Sequence, residues 1–316
     1  MSSRPSSLPQ PDLETVFLTD GGLETSLLFI EGIDLPCFAS FPLLRHESGR
    51  QVLKRYFEPY LQTASRHGVG FILDTATWRA NPDWGRKLGY TSEDLAQVNR
   101  QAVAFARELG RSFALEGRSL LIDGAIGPRG DGYRADYRMS AEEAERYHTG
   151  QIDALRDAGA DMVTAFTINY AEEAIGIARA AAKAAIPVVI SFTVETDGKL
   201  ASGESLQSAI EQSDRETGGI PAYYMINCAH PTHIESMLSA GGSWVQRIRG
   251  LRANASSKSH AQLDEAEELD SGDPTELARQ YRDLRNMLPR LSVLGGCCGT
   301  DHRHIEAICE ACLPQA

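Results

Sequence analysis

No apolar run in this 316-residue chain approaches the roughly 20 residues that a membrane-spanning helix requires. The first twelve residues are rich in Ser and Pro and lack the apolar core of a signal peptide, so 1–12 reads as a disordered tail. Positive charge is short as well. Lys and Arg number 31 against 43 Asp and Glu, a formal net charge of −12, which argues against a nucleic-acid backbone or an anionic membrane surface as partner. Cysteine is scarce: six residues in a chain this long do not make a disulfide framework. A reducing, cytoplasmic setting with free or metal-bound thiols is expected. What the chain does have is apolar content, at 42%, enough for a sizeable core in one large α/β domain or two small ones.

Eight short β-type runs, at 16–19, 71–73, 120–122, 162–166, 187–192, 222–227, 245–249 and 291–294, alternate with segments of helical spacing. The helical segments carry start and stop signals. Ser140 with Glu143 forms a capping-box pattern, Ser92 is a candidate N-cap, and Gly110 and Gly159 are candidate stops. Strand and helix alternating eight times in about 300 residues predicts a parallel sheet closed as a single (β/α)8 barrel over 13–316. An open doubly wound sheet is the alternative. The segment 252–274 breaks the rhythm and ends in an acidic run, Asp264 to Asp270. Its length marks a lid or a disordered insertion, and the acidic run by itself reads as a solvated face.

In a barrel, function belongs at the C-terminal strand ends. Asp20, Asp74, Thr75, Thr77, Asp123, Cys228, Cys297 and Cys298 all fall there. Adjacent side chains of a strand point to opposite faces, so Cys297 and Cys298 can converge only where the chain leaves the strand, and the flanking glycines permit such a turn. With Cys228 they make three soft ligands. Three protein ligands with a fourth position open is the pattern of a catalytic zinc, against packing or redox roles as the alternatives. Cys37, Cys309 and Cys312 read as small buried apolar residues. His230 is a weaker candidate ligand, two residues after Cys228, while His302 and His304 read as solvent-facing or capping.

Asp20-Gly21-Gly22 after the first strand, Asn227-Cys228 after the sixth and Gly295-Gly296-Cys297-Cys298-Gly299-Thr300 after the eighth resemble the zinc-dependent homocysteine S-methyltransferases, from about 20 to 308. The resemblance implies a (β/α)8 barrel, Zn2+ held by Cys228, Cys297 and Cys298, and small-molecule partners, a thiol and a methyl donor. It implies that Asp20, Gly21 and Gly22 hold the amino-acid end of homocysteine, with Asn227 beside the zinc ligand Cys228. Thr75 matches a second-strand threonine that helps bind the same substrate. Trp78 falls where the family often has an aromatic near the donor. The implied chemistry is transfer of a methyl group from a sulfonium to a metal-bound thiolate, giving methionine, with aromatic faces steadying the cation.

Two positions depart from the family's pattern. Phe166 stands where strand four usually ends in a glutamate that grips the homocysteine amino group, so Asp123 or Glu195 becomes the candidate substitute acid. The loop after strand seven, Arg252-Ala253-Asn254-Ala255-Ser256-Ser257, replaces the Pro-Asn-Ser-Gly-type stretch of members that use S-methylmethionine. Cobalamin-dependent members carry additional domains and betaine-dependent members a C-terminal extension. A single-domain, S-methylmethionine-type enzyme is the best match. A betaine-like donor, another thiol acceptor, a zinc-barrel hydrolase and a zinc-dependent scaffold remain as alternatives.

Overall fold

Eight parallel strands pair in sequence order and β1 pairs with β8, closing a barrel. A computed structural model describes Leu8 and residues 16–113, 120–238 and 241–313. The strands are β1 (Phe17–Leu18), β2 (Gly70–Asp74), β3 (Leu120–Ile126), β4 (Met162–Ile168), β5 (Val188–Phe192), β6 (Tyr224–Asn227), β7 (Ile248–Ala253) and β8 (Val293–Gly296). The principal helices between them are α1 (Glu47–His67), α2 (Ser92–Ser112), α3 (Ala141–Asp157), α4 (Ala171–Ala184), α5 (Leu206–Thr217), α6 (Pro231–Leu238), α7 (Pro274–Met287) and α8 (His302–Cys312). The expected closed barrel is observed, and the open doubly wound sheet is excluded.

The caps follow from local chemistry. Ser140 and Glu143 form the expected capping box at the start of α3. At α2 the cap is Thr91, one residue before the expected Ser92, because the box with Asp94 needs a hydroxyl three positions upstream of the acid. The seventh strand also differs. The stretch Ser243–Arg247 is a 3-10 turn, and the strand runs Ile248–Ala253, so Arg252 lies in a strand and not in the following loop.

Along each strand successive side chains alternate between the helix layer and the barrel interior. Phe71 and Leu73 pack outward, whereas Ile72 joins Phe17, Met162, Val189 and Val293 in an interior cluster. Leu8, 6% exposed, belongs to that same cluster, so the tail reading does not extend to it; the rest of 1–12 lies outside the described residues. Toward the strands' C-terminal ends the inward positions turn polar. Asp74 and Asp123 are direct register partners, as are Asn227 and Arg252. Cys309 and Cys312 pack in the outer core, as expected for small apolar residues. Among the described residues no helix is long and apolar enough to cross a membrane.

Candidate active site

Strand β7 ties the cysteines into place. The Cys228 N–H donates to the Arg252 carbonyl (3.0 Å) and the Cys297 N–H to the Ala253 carbonyl (2.8 Å), so both chain ends leave the barrel beside the same strand. Cys228 adopts φ +52, a left-handed conformation that costs a side-chain-bearing residue free energy. Asn227 holds that turn. Its amide donates to Cys228 Sγ (3.2 Å) and Thr167 Oγ1 (3.0 Å), while its oxygen accepts from Thr167 N–H (2.9 Å) and Ser191 Oγ (2.6 Å). The sulfurs of Cys228, Cys297 and Cys298 all lie within 4.8 Å of one another.

Cys228 and Cys297 are joined here as a disulfide, and Cys298 is free. The expectation of free or metal-bound thiols therefore does not describe this pair. It is the pair across β6 and β8 that bonds, not the adjacent Cys297 and Cys298. Burial pushes the Cys298 thiol up to about 11, so without a cation beside it this sulfur is a neutral thiol at pH 7.

The glycines serve close approach more than unusual backbone angles. A Cβ on Gly21 would meet the Thr300 carbonyl at 2.7 Å, and one on Gly22 the Cys297 carbonyl at 2.5 Å. The Asp20-Gly21-Gly22 turn thus lies against the Cys297 turn. Gly295 and Gly296 are strand residues whose faces are filled by Thr19 and Thr300; in this motif only Gly299 takes a positive φ, +80.

An inner cavity of ≈ 90 Å³ opens at this rim. Asp20, Gly21, Gly22, Asp74, Thr75, Trp78, Asn227 and all three cysteines line it, whereas Thr77, Asp123, Glu195 and His230 do not. The Thr75 hydroxyl bonds Thr77 Oγ1 (2.7 Å) and accepts from the Ala125 N–H (3.0 Å), bridging β2 and β3. Asp123 is fully buried and is not part of the cavity wall. Its oxygens complete no hydrogen bond of good geometry, although the Thr164 hydroxyl and the Asp74 carboxyl both lie close, and contact between the two carboxyls needs a shared proton. Burial, reinforced by the Asp74 charge, holds Asp123 well above the ordinary carboxylate range. A role for it in gripping substrate does not follow from this position.

Arg252 organises the cavity floor. Its guanidinium donates to Asp20 Oδ1 (2.6 Å), to Asp74 Oδ2, and to the carbonyls of Gly21 (3.1 Å) and Gly296 (3.0 Å). It also lies 5.0 Å over the Phe166 ring. Burial opposes its charge, but Asp20 and Asp74 outweigh that and hold it firmly protonated. Burial pushes Asp20 up to about 7 against the pull of Arg252 and a hydrogen bond from Tyr56 (3.0 Å).

A second cavity of ≈ 340 Å³ lies outside the first, and Cys298, Trp78 and Tyr133 belong to the walls of both. The Tyr133 hydroxyl is 3.9 Å from Cys298 Sγ, and its ring is 4.2 Å from that of His260. His260 Nε2 donates to the Cys228 carbonyl (2.6 Å) and its Nδ1 is 2.6 Å from Glu195. Glu195 is thereby committed to His260. The segment after β7 closes this outer space through the short helix His260–Asp264, and the acidic residues Asp264, Glu268 and Asp270 face into it. The acidic run is a wall and not merely a solvated face. His230 stays outside the sulfur cluster, its Nδ1 2.8 Å from Thr232 Oγ1, with burial lowering it to about 4. His304 caps α8 through Asp301.

The sequence profile of the family described as "Homocysteine S-methyltransferase" matches residues 17–312. The chain belongs to that family. A homocysteine S-methyltransferase of Escherichia coli (strain K12) is 30% identical over 147 residues, 43% of this chain; the match spans about half the length of that relative, 47%. Crystal structures of the E. coli homocysteine methyltransferase MmuM show the same fold. The oxidized form superposes with TM-score 0.75 at 20% identity, covering 95% of this chain and 96% of that one. The metallated form gives 0.72 at 23% identity, covering 95% and 97%.

Sequence reasoning missed Glu24, Tyr133, His260 and the inward Arg252. Arg252 falls in the expected loop because the seventh strand has few apolar residues to mark its start, and the strand runs Ile248–Ala253. Tyr133 lies in the long connection after β3, where no periodic signal exists. Glu24 was in view beside Asp20-Gly21-Gly22 but carried no pattern of its own.

Proposed function

We propose that this protein is a zinc-dependent thiol S-methyltransferase, moving a methyl group from a sulfonium donor of the S-methylmethionine type to homocysteine and yielding methionine. The observation that carries this reading is the trio Cys228, Cys297 and Cys298, mutually within 4.8 Å on the wall of a rim cavity. Once the Cys228–Cys297 bond is reduced, three thiolates on this one wall suit tetrahedral zinc, whose Zn–S bonds near 2.3 Å would set the sulfurs roughly 3.8 Å apart and leave one position open. That MmuM has a metallated form is consistent with it. Zinc bound there would keep an incoming thiol deprotonated at neutral pH. Three reduced thiols also suit a cytoplasmic location.

The chain's own residues do the rest. Asn227 orients Cys228, and β7 holds Cys228 and Cys297 side by side. The acceptor sulfur attacks the methyl carbon, the carbon–sulfonium bond breaks, and its electron pair leaves with the donor as a neutral thioether. Trp78, with the Arg79 guanidinium 4.8 Å over its ring, and Tyr133 flank the approach, and the outer carboxylates outnumber the one arginine on that wall and favour a cation. Those outer features read positive charge without distinguishing sulfur from nitrogen, which keeps a betaine-like donor as the second reading. The deciding experiment incubates reduced, zinc-loaded protein with homocysteine and S-methylmethionine, betaine or a methylfolate, and identifies products by mass. Methionine formed with S-methylmethionine is expected; no methylated thiol from any donor would overturn the reading.

A further inference from the structure

An amino-acid thiol brings an ammonium into the inner cavity, and a buried ammonium needs an anion beside it. Asp20 and Asp74 line that cavity, but Arg252 already takes an oxygen of each, and Tyr56 takes the other oxygen of Asp20. The remaining Asp74 oxygen is buried without a donor, and the Asp123 carboxyl close to it is sealed off and held well above the ordinary carboxylate range, so a proton shared between the two is what meets that oxygen. Glu195 serves His260. Phe166 offers only its ring, which Arg252 covers.

Glu24 is differently placed. It follows the Gly21-Gly22 turn in the single helical turn Leu23–Thr25 and lines the inner cavity with the three cysteines. The Ser40 hydroxyl donates to its Oε1 (2.7 Å), its own backbone N–H lies close to the carboxylate, and no other residue among those described donates to it. Arg79 and Arg252 act on it only through their fields. Glu24 thus pairs a fixed orientation with a second oxygen that has spare acceptor capacity, on the same cavity wall as the three sulfurs.

We propose that Glu24 is the acceptor-binding carboxylate: its Oε2 receives the ammonium of an α-amino-acid thiol whose sulfur sits at Cys228, Cys297 and Cys298. This rests on the thiol-methylation reading and assigns its acceptor class. The ammonium supplies N–H donors for that oxygen; a donor of the S-methylmethionine type carries one as well, and the donor's KM in the variant tells which ligand Glu24 serves.

The test separates the ammonium from the rest of the ligand. Binding of methionine and of 4-(methylthio)butanoate, the same molecule without the amino group, is measured by calorimetry on the reduced full-length protein, wild type and Glu24→Gln. Wild type is expected to prefer methionine by about tenfold or more, the scale of a charge-assisted hydrogen bond. Glu24→Gln should abolish that preference and leave the amine-free ligand within about twofold of its wild-type affinity. In turnover, KM for homocysteine should rise about tenfold while KM for the donor holds. Equal wild-type affinity for the two ligands would overturn the assignment, as would a Glu24→Gln loss shared equally by both. Ser40→Ala, which keeps the charge, should retain most of the preference, and its complete loss there would count against Glu24 as the receptor. If no thiol is methylated while the methionine preference still depends on Glu24, the function fails and the recognition site stands.

Discussion

The inner and outer cavities meet at Cys298, yet they treat charge in opposite ways. In the inner one Asp20, Asp74 and Arg252 are nearly sealed and pair with one another, so the floor is mostly spoken for. In the outer one Asp131, Asp264, Glu268 and Asp270 stand on a wall with Arg79 as its one arginine. Asp270 bonds Ser256 (2.8 Å), and Lys258 lies 3.4 Å from it at the exposed edge. The lesson is that burial turns charge into architecture, while partial exposure leaves it available for steering.

The largest effect that can break this division is at the shared sulfur. Cys298→Ala should lower methyl transfer by at least about 100-fold, more than loss of an outer-shell partner costs a metal site. The barrel should stay folded, since its core does not depend on this side chain. Product mass, zinc content by elemental analysis and circular dichroism check the three parts. Retained zinc with full turnover would remove Cys298 from the site.

Arg252→Met probes the inner floor. It leaves two buried carboxylates without their cation, and a loss on the order of 3–5 kcal/mol of stability is expected. Because burial already pushes Asp20 up to about 7, the variant should hold Asp20 protonated to higher pH. A carboxyl whose folded pKa is raised contributes stability below its unfolded value and loses it as pH rises through the folded one. The deficit of Arg252→Met should therefore be smaller near pH 4 than at pH 8. Urea midpoints across that range measure it, and a deficit independent of pH would mean that the carboxylates are not its source.

The smallest effect belongs to the outer wall. Neutralising Asp264, Glu268 and Asp270 together as Asn, Gln and Asn should raise KM for a cationic donor by about three- to tenfold, less at high salt, with KM for the thiol unchanged. Initial rates at two ionic strengths check it. Equal change in both KM values would place the two ligands in one cavity.

How much of this was legible beforehand varies with the range of the interaction. Gly295-Gly296-Cys297-Cys298, Asn227-Cys228 and Asp20-Gly21-Gly22 stand at strand ends, and the closed barrel brings strand ends together, so reading the order of elements was enough to gather them. Asp123 shows where that logic stops. It shares a strand-end position with Asp74, but as its register partner on the neighbouring strand it is enclosed beneath the rim, and no spacing reveals depth.

The sequence by itself determined the eightfold alternation, the rim that carries the chemistry and the three cysteines, because periodicity and local caps are properties of neighbouring residues. Only the tertiary structure decided that Arg252 points inward between Asp20 and Asp74, that the acidic run walls a cavity, and that Glu24 keeps an oxygen in reserve. Those outcomes depend on side chains as many as 232 residues apart, as Arg252 and Asp20 are, competing for the same hydrogen bonds. Which group is satisfied is settled only when all of them occupy one space.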